Sequence, residues 1–513
     1  MTTAKISIAQ TTPDGTLNIA LDTLRIGKQA LIFVGTKPSA EKTAEEIAKK
    51  LNVNSQGLDE LSLYVLHALT QPTKQCERLS RCIKKGIAFH HSGLTHKQRT
   101  AIEDAFRKGT IKIICCTPTL AAGLDLPAYR AVIRDLKRYG NEGMQWIPVL
   151  EYLQMSGRAG RPKYDTEGQA IAIAATETDK KRIYERYVLG EPEDIYSKLA
   201  AEPALRTYIL SLVATRFVTT RKEIFGFFSK TFWAHQFMDV KQLNATITRI
   251  IGQLESWELI KAKDDFSGAD ELSDDKALAT IIGKRVAELY IDPLTANHMI
   301  TCSRKASGLK EAFPFLLMAA TALEMRPRLR ANAKDYETIS EVLVENEGRL
   351  LQQEPSIYEE DYDEFMNAAK TAMFIQEWAE EKSEAYLLEK YNIRPGEVHA
   401  KLETAQWLLY SARELSKLLK LTAVATELMK LSIRVRYGVK EELFAILKLK
   451  GIGRARARRL YSNKITDIGA VKKADMATLS QILGPKVAAD IKKQVGQGLK
   501  EDKGQLSLVE DAE

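Results

Sequence analysis

Cysteine is scarce in this sequence, and none of it has the spacing that metal sites or redox motifs require. Five cysteines stand at positions 76, 82, 115, 116 and 302, and no two of them form a CxxC pair. A disulfide framework and a zinc site built from cysteine pairs are therefore not indicated. The adjacent Cys115 and Cys116 fall inside an apolar run, where we expect them to pack as reduced thiols.

Long hydrophobic runs are also missing. The most apolar stretch, residues 313–323, contains Pro314 and is far shorter than the ~20 residues that a membrane span needs. Residues 1–15 contain no apolar segment of the kind found in signal peptides. The sequence therefore predicts a cytoplasmic protein that makes no membrane contact. At roughly 150 residues per domain, its 513 residues suggest three or four domains.

Positive charge is modest overall but unevenly distributed. The formal net charge is +8, and residues 434–459 contain nine basic and two acidic residues. This one segment holds nearly the whole surplus. A concentrated basic patch indicates a polyanionic partner.

Strand-like and helix-like segments alternate over the first ~190 residues, which predicts a parallel α/β sheet covered on both faces. The predicted strands are residues 30–35, 87–91, 111–117 and 168–176. Small or hydroxylated residues follow the first three, at the edge where such sheets bind ligands and where these side chains suit phosphates: Thr36, Ser92, Gly93, Thr117 and Thr119. His90 and His91 have no acid or cysteine at ligand spacing, so no metal site is predicted.

Helices dominate the rest of the chain. Three helices at 203–215, 220–231 and 240–259 precede two short β-like pieces around the acidic loop 264–275, a winged-helix pattern. Residues 295–420 are almost wholly helical, and 443–496 form a compact helical unit. The tail after residue 500 is predicted to be disordered.

The spacing of Gln154, Gly157, Arg158, Gly160 and Arg161 resembles motif VI of superfamily-two helicases. Other segments resemble that superfamily's motifs IV and V and the motif between them: residues 33–37, 117–127 and 90–94 respectively. Further stretches narrow the resemblance to the Ski-like branch and its archaeal DNA repair helicases: residues 197–214, 283–296, 403–410 and 447–461.

This resemblance implies an α/β RecA-like motor domain followed by mainly α domains. The expected order is a second RecA-like domain, a winged helix, a helical ratchet domain, a helix–hairpin–helix domain and a disordered tail, at residues 1–193, 194–292, 293–432, 433–500 and 501–513. A strand-separating hairpin is expected at about 131–150.

The resemblance also assigns an ATP-facing group. Arg161 becomes the arginine finger, Arg158 its partner and Gln154 the sensor of the γ-phosphate, since a permanently charged planar fork suits phosphate oxygens. Gly123 and Asp125 are expected on the nucleotide side of motif V, although asparagine is common where Asp125 stands. The plainer interpretation of the two arginines is a surface pair on a helix.

Two motifs of the family are missing: no GxxxxGK[ST] phosphate loop and no DExH tetrad occur in the sequence. The implied cofactors, ATP and Mg²⁺, are therefore expected mainly on a first RecA-like domain, carried by another chain or a missing segment. The chain looks like a split product or a fragment, and we expect it to be inactive alone.

Three further elements are candidates for nucleic-acid contact. In the hairpin, Tyr139, Met144 and Trp146 could stack on the last base pair, unless this is an ordinary surface hairpin. In the helix near 397–420, Trp407 falls opposite an apolar stripe and resembles the ratchet tryptophan that stacks on bases; the alternative is packing against another domain. The helix–hairpin–helix pattern contributes Gly451, Gly453, Arg454, Arg456 and Arg458, with a degenerate second copy at 482–491.

The sequence thus predicts the carboxyl-terminal part of an ATP-dependent 3′–5′ DNA helicase that acts on forked or single-stranded DNA in repair and replication restart. A non-catalytic DNA-binding protein and an RNA helicase of the same branch are the alternatives; the helix–hairpin–helix unit weighs against RNA. Residues 505–513 faintly resemble a sliding-clamp peptide without its aromatic pair, so we expect weak clamp contact at most.

Overall fold

The computed structural model describes the chain apart from residues 1–5, 53–54, 70–71, 141–142, 162–164, 238–239, 263–275 and 497–513. The acidic loop predicted as a wing tip, the tail and its clamp-like segment lie outside the described residues. The chain divides into two compact units, Met1–Ile195 with Arg394–His399, and Tyr196–Ile393 with Ala400–Glu513.

The first unit is built on a five-stranded parallel sheet in the order β2-β3-β1-β4-β7. Strands β5 and β6 form a separate antiparallel hairpin. The strands are β1 Ala30–Phe33, β2 Ile87–His90, β3 Ile113–Cys116, β4 Arg130–Ile133, β5 Lys137–Gly140, β6 Gly143–Trp146 and β7 Gln169–Ala172. Every residue of β1 to β4 is buried, as expected for a sheet covered on both faces. The predicted α/β class is confirmed.

Helices cover this sheet: α1 Gly15–Arg25, α2 Lys37–Ala48, α3 Gln56–Leu66, α4 Lys74–Ile83, α5 His96–Arg107, α6 Thr119–Gly123, α7 Val149–Ser156 and α8 Glu177–Ile183, which continues as the π-helix Tyr184–Val188. Helix α5 begins with a capping box, in which Thr95 and Gln98 bond each other's backbone N–H groups. Gly109 follows the end of α5 with φ +76°, a left-handed conformation that glycine adopts readily.

Strand β4 departs from the sequence prediction, which placed residues from 131 onward in the hairpin. Arg130–Ile133 instead pairs with β1 and β7 inside the parallel sheet, and only Lys137–Gly140 and Gly143–Trp146 form the hairpin. Ala131, Val132 and Ile133 are a continuous apolar run, which suits a strand buried on both faces better than an exposed ribbon.

The second unit begins with helices followed by a short antiparallel pair: α9 Glu202–Ala214, α10 Arg221–Phe228, α11 Phe232–Phe237, α12 Val240–Ser256, β8 Ile260–Ala262, β9 Ala277–Ala279 and α13 Ile281–Leu289. The predicted helix 220–231 ends earlier than expected, and α11 was not predicted. Thr220, the N-cap of α10, also bridges to Lys276 beside β9.

The remaining helices are α14 Pro293–Lys305, α15 Ala312–Thr321, α16 Ala333–Glu345, α17 Tyr362–Ala379, α18 Glu384–Lys390, α19 Pro395–Leu418, α20 Thr422–Tyr437, α21 Phe444–Leu447, α22 Arg454–Ser462, α23 Ile468–Lys473, α24 Met476–Leu483 and α25 Pro485–Gly496. The most apolar stretch of the sequence forms α15, which is buried along its length. Across the part of the chain that the structure describes, no helix has the length and apolarity to cross a membrane.

Candidate functional site

The predicted phosphate-contacting residues gather at the carboxyl edge of the parallel sheet. Thr36 caps α2 directly after β1, Ser92 follows β2, and Thr117 and Thr119 follow β3 with their hydroxyl oxygens 2.9 Å apart. These four line a cavity of about 460 Å³. Gly93 lies next to Ser92 but is buried, so it contributes backbone rather than an exposed surface.

The same cavity has a basic lining that the sequence analysis missed. Lys37, Lys137, Arg138 and Arg394 contribute to its wall, together with the acids Asp135 and Glu151. Lys137 and Arg138 belong to the hairpin, so β5 places two cations beside the strand ends. The basic start of the hairpin was visible in the sequence; the approach of Arg394, more than 250 positions later, was not.

The hairpin exposes two of its three candidate stacking residues. Tyr139 is 81% exposed and Met144 58%, and the two face each other across the strands. Trp146 differs, because it packs partly buried against the core. The Lys137 ammonium lies 4.3 Å from the centroid of the Trp146 ring, and the ring centroids of Trp146 and Tyr187 are 6.2 Å apart. The two exposed residues can reach a ligand, whereas Trp146 anchors the base of the hairpin.

Helix α7 carries Gln154 of motif VI and starts only two residues after β6 ends. Gly157 is its C-cap, and Arg158, Gly160 and Arg161 follow the helix. Its N-terminal N–H groups need acceptors, and the carboxylate of Glu193 provides them for Val149 at 2.7 Å and Leu150 at 3.2 Å. Gln154 is exposed on this helix. The hairpin and α7 are thus consecutive elements joined by two residues, and Glu193 caps the start of α7.

Arg158 brings motifs V and VI together. Its Nε donates to the carbonyl oxygen of Ala121 in α6 at 3.2 Å, and Nη1 lies 3.7 Å from the carboxylate of Asp125. Asp125 is 97% exposed at its side chain, and Gly123 is exposed as well. Gly160 adopts φ +94° and donates its N–H to the carbonyl of Ala128, where a side chain would be strained.

Arg161 is held at the opposite, amino edge of the sheet. Nε donates to Asp165 at 2.7 Å and Nη1 to the side-chain oxygen of Gln29 at 2.5 Å. Asp165 is fully buried at its side chain and also accepts from Lys28 at 2.7 Å. The hydrogen bond from Arg161, followed by that from Lys28, lowers the pKa of Asp165 to about 2, so the carboxylate stays charged. Arg161 and Lys28 thus share the Asp165 carboxylate.

His90 and His91 each contact an acid that is distant in the sequence. His90 Nε2 lies 2.9 Å from Glu103, and His91 Nε2 lies 3.2 Å from Glu41. Glu103 lies on α5 and Glu41 on α2, and both helices pack over the sheet. The spacing of these residues along the sequence does not show that they are close to the histidines. Within the described ranges, no group of three or more His, Cys, Asp or Glu residues could hold a metal ion.

Trp407 lies on α19, whose apolar stripe is buried as predicted: Val398, Leu402, Ala405, Leu409 and Ala412. The opposite face, expected to be solvated, packs in part against α13. Trp407 is partly buried and donates its indole N–H to the carbonyl of Leu289 at 3.0 Å. Farther along this face, Arg285 bonds Glu414 at 2.9 Å. The hydrogen bond fixes one edge of the indole ring.

The glycines of the helix–hairpin–helix turn are placed to let its backbone N–H groups approach a phosphate, but its three candidate arginines differ in exposure. Gly451 adopts φ +82°, and Gly453 is the extended N-cap of α22; both are exposed. Arg456 is exposed and donates to the Gly451 carbonyl at 2.7 Å.

The other two candidate arginines of this turn have protein partners. Arg454 lies over the Trp378 ring, 4.8 Å from its centroid, and bonds the carbonyl of Lys382. Arg458 bonds Glu381 and, at 2.9 Å, Glu442. These two side chains hold α22 against its neighbours, so Arg456 is the candidate of the three that faces solvent.

Family models match successive parts of the chain. Helicase conserved C-terminal domain matches residues 63–163, Helix-turn-helix domain residues 173–261, Archaeal helicase, domain 4 residues 313–438, and SAM-like Helix-hairpin-helix tandem residues 443–496. The first covers β2, β3 and β4 with Ser92, Thr117 and Thr119 but not β1 and Thr36, and the last covers the turn of Gly451 and Gly453.

Curated relatives match nearly the whole chain, and three of them bear the name ATP-dependent DNA helicase Hel308. That of Methanocella arvoryzae is 36% identical over 94% of this chain and 65% of its own length, and that of Pyrococcus horikoshii 36% over 94% and 66%. The relative from Methanococcus vannielii is 34% identical over 94% of this chain and 68% of its own length. The chain spans about two thirds of the length of these relatives. Because sequence identity of 34–36% extends over 94% of this chain and about two thirds of each relative, the chain belongs to the Hel308 family of ATP-dependent DNA helicases.

Proposed function

We propose that this chain forms the DNA-gripping and ATP-sensing part of an ATP-dependent DNA helicase. The motor moves 3′ to 5′ on single strands and acts on forked or single-stranded DNA in repair and replication restart. The observation that carries this proposal is the arrangement of one domain: hydroxyl-bearing strand ends and a hairpin share its carboxyl edge, and the motif VI arginines are held farther down the same sheet.

ATP is the proposed energy source, and the donor set fits its phosphates. Arg158 and Arg161 keep 23% and 20% of their side chains exposed, and both are oriented by hydrogen bonds. Such guanidinium groups stabilise the charge that develops on a transferred phosphoryl group. Gln154 would sense the γ-phosphate, with Gly123 and Asp125 beside the nucleotide. Mg²⁺ would be held with ATP mainly by a first RecA-like domain, which is the partner this proposal requires.

DNA is the proposed track. Thr36, Ser92, Thr117 and Thr119, with Gly93 behind them, would hold the phosphates of one strand, since hydroxyl and N–H groups contact the backbone without reading bases. Tyr139 would meet the duplex end at the hairpin tip. Trp407 would stack on a base of the single strand, and the turn of Gly451 and Gly453 with Arg456 would hold the backbone farther along. The names of the relatives favour DNA over RNA as the substrate.

The first test concerns catalysis. We expect the purified chain to hydrolyse no ATP, because its 513 residues contain no phosphate loop. A coupled phosphate-release assay with and without single-stranded DNA measures this. Adding a RecA-like domain that carries the phosphate loop and DExH motifs should produce DNA-stimulated hydrolysis. Hydrolysis by the chain alone would contradict the first expectation. No hydrolysis by the mixture would favour a non-catalytic DNA-binding protein.

The second test concerns DNA. We expect the chain alone to bind forked and single-stranded oligonucleotides, with the logarithm of affinity falling linearly as the logarithm of salt concentration rises. Fluorescence anisotropy at four or five salt concentrations gives the slope. Arg456→Ala should make the slope shallower by about 0.7, the value for one phosphate contact on a single strand. A slope near zero for the unmodified chain would contradict a phosphate-based grip.

A further inference from the structure

Glu41 of α2 is a buried carboxylate whose partners come from three other segments of the first unit: α4, the end of β2 and the residues before α19. It is 3% exposed and accepts hydrogen bonds from Arg78 at 2.5 Å, Gln75 at 2.8 Å and Arg394 at 3.2 Å. His91 Nε2 lies 3.2 Å away. Burial of an ionised carboxylate is costly unless hydrogen-bond donors and positive charges compensate it. Loss of any of these partners would therefore be unfavourable, which stabilises the cluster.

The protonation states in this cluster follow from its hydrogen bonds. Burial acts to raise the pKa of Glu41, but the contact with the His91 ring, the hydrogen bond from Gln75 and the charges of Arg394 and Arg78 lower it to about 2. The N–H of Gly93 donates to Nδ1 of His91 at 3.1 Å, which places the proton of the neutral ring on Nε2, facing Glu41. Glu41 is therefore an anion with its donors already in place.

Arg394 is seated on the loop that follows β2. A Cβ at position 93 would collide with Cδ of Arg394, so glycine is needed there to admit the arginine stem. The N–H of Gly396 donates to the carbonyl of Gly93 at 3.0 Å, and the N–H of Arg394 donates to Glu397 at 2.9 Å. The position of Arg394 is thus fixed by main-chain bonds as well as by Glu41.

Arg394 lines the same cavity as Ser92, Thr36 and Thr117. Its side chain is 25% exposed. Nε is occupied by Glu41, while the described residues offer no partner to the two terminal nitrogens. This leaves the Nη1–Nη2 edge of a planar fork, an arrangement that matches two oxygens of a phosphate.

We propose that Arg394 contacts a phosphate of the nucleic-acid strand in the strand-end cavity, and that Glu41 positions it. The residue lies outside the helicase motifs, so it extends the DNA grip beyond them. The assignment rests on the proposed function, because it assumes that a strand occupies this cavity. It also gives Gly93 a specific role, which is to leave room for the arginine rather than to touch the strand.

The test uses the full chain and a fluorescein-labelled oligothymidine strand, with affinity measured by anisotropy across a salt series. We expect Arg394→Ala to weaken binding about tenfold, as for loss of a hydrogen bond to a charged group. The salt slope should become shallower by about 0.7. Arg394→Lys should keep the slope, because the charge remains, but recover only part of the affinity, because the fork is lost. Arg107→Ala is the matched control: it removes the same charge from the end of α5, at the other edge of the sheet.

Glu41→Gln separates positioning from contact. If Glu41 acts through Arg394, this change should weaken binding in the unmodified chain but add little in the Arg394→Ala background. Melting curves by circular dichroism report whether either variant loses stability. The inference is overturned if Arg394→Ala binds with the affinity and slope of Arg107→Ala. That result, in a chain that still binds DNA, leaves the proposed function standing. A chain that binds no DNA at all contradicts the proposed function instead.

Discussion

Arg161→Ala should reduce ATP hydrolysis by roughly a thousandfold or more in a motor completed with the ATP-binding domain, while leaving DNA affinity unchanged. An arginine that neutralises charge on the transferred phosphoryl group contributes on the order of 10³–10⁵ in rate. In this chain the guanidinium is oriented by Asp165 and Gln29, so the substitution removes a placed charge rather than a mobile one. Single-turnover hydrolysis and strand binding, measured on the same preparation, give the two quantities.

Stability is the main confounding effect for this prediction, and the structure limits it. Asp165 keeps Lys28 as a partner when Arg161 is truncated, so the carboxylate is not left without a counter-charge. Arg161→Lys is the sharper variant, since it retains the charge but not the fork, and we expect most of the rate to be lost there too. Arg107→Ala controls for the loss of a surface charge. Hydrolysis within tenfold of the unmodified motor for Arg161→Ala would mean that another group stabilises the phosphoryl charge.

The sequence makes Arg161 a candidate arginine finger but shows only part of what holds it. Asp165 stands four residues later, so an acidic neighbour was within reach of spacing arguments. Gln29 lies 132 positions earlier, just before β1. It comes close because β1 pairs with β4 and because Ala128, just before β4, bridges to Ala159 of motif VI. Parallel pairings of this kind depend on strand order, which no local pattern in one sequence specifies. The contact between His91 and Glu41, 50 positions earlier, is hidden from the sequence for the same reason.

The helical phase of the helix–hairpin–helix arginines is visible in the sequence and distinguishes Arg456 from Arg454 and Arg458. At 100° per residue, positions 454 and 458 lie about 40° apart on a helix, whereas 456 lies on the far side. The structure follows that geometry: Arg454 and Arg458 bond or stack on protein groups, and Arg456 is exposed. Charge counting treated the three as equivalent. Helical phase predicts instead that truncating Arg456 affects DNA affinity more than stability.

Trp407→Ala should weaken single-strand binding by about 1–3 kcal/mol, roughly 5- to 150-fold, if the ring stacks on a base. The indole N–H bond to Leu289 orients the ring without using its faces. Truncation also leaves that carbonyl without its donor, so some loss of stability will accompany the loss of affinity. Trp407→Phe resolves the two effects: it too removes the N–H donor but keeps an aromatic face. We expect Phe to restore most of the binding while melting below the unmodified chain.

Leu409→Ala on the buried stripe of α19 supplies the matched control. Leu409 is fully buried, and its truncation should cost about 2–5 kcal/mol of unfolding free energy with no change in the affinity of the folded fraction. Anisotropy titrations below the lowest melting temperature, with the folded fraction determined by circular dichroism, compare the three variants. If Trp407→Ala and Leu409→Ala destabilise equally and neither changes the affinity of the folded protein, Trp407 is a packing residue between α13 and α19. The single strand must then stack elsewhere.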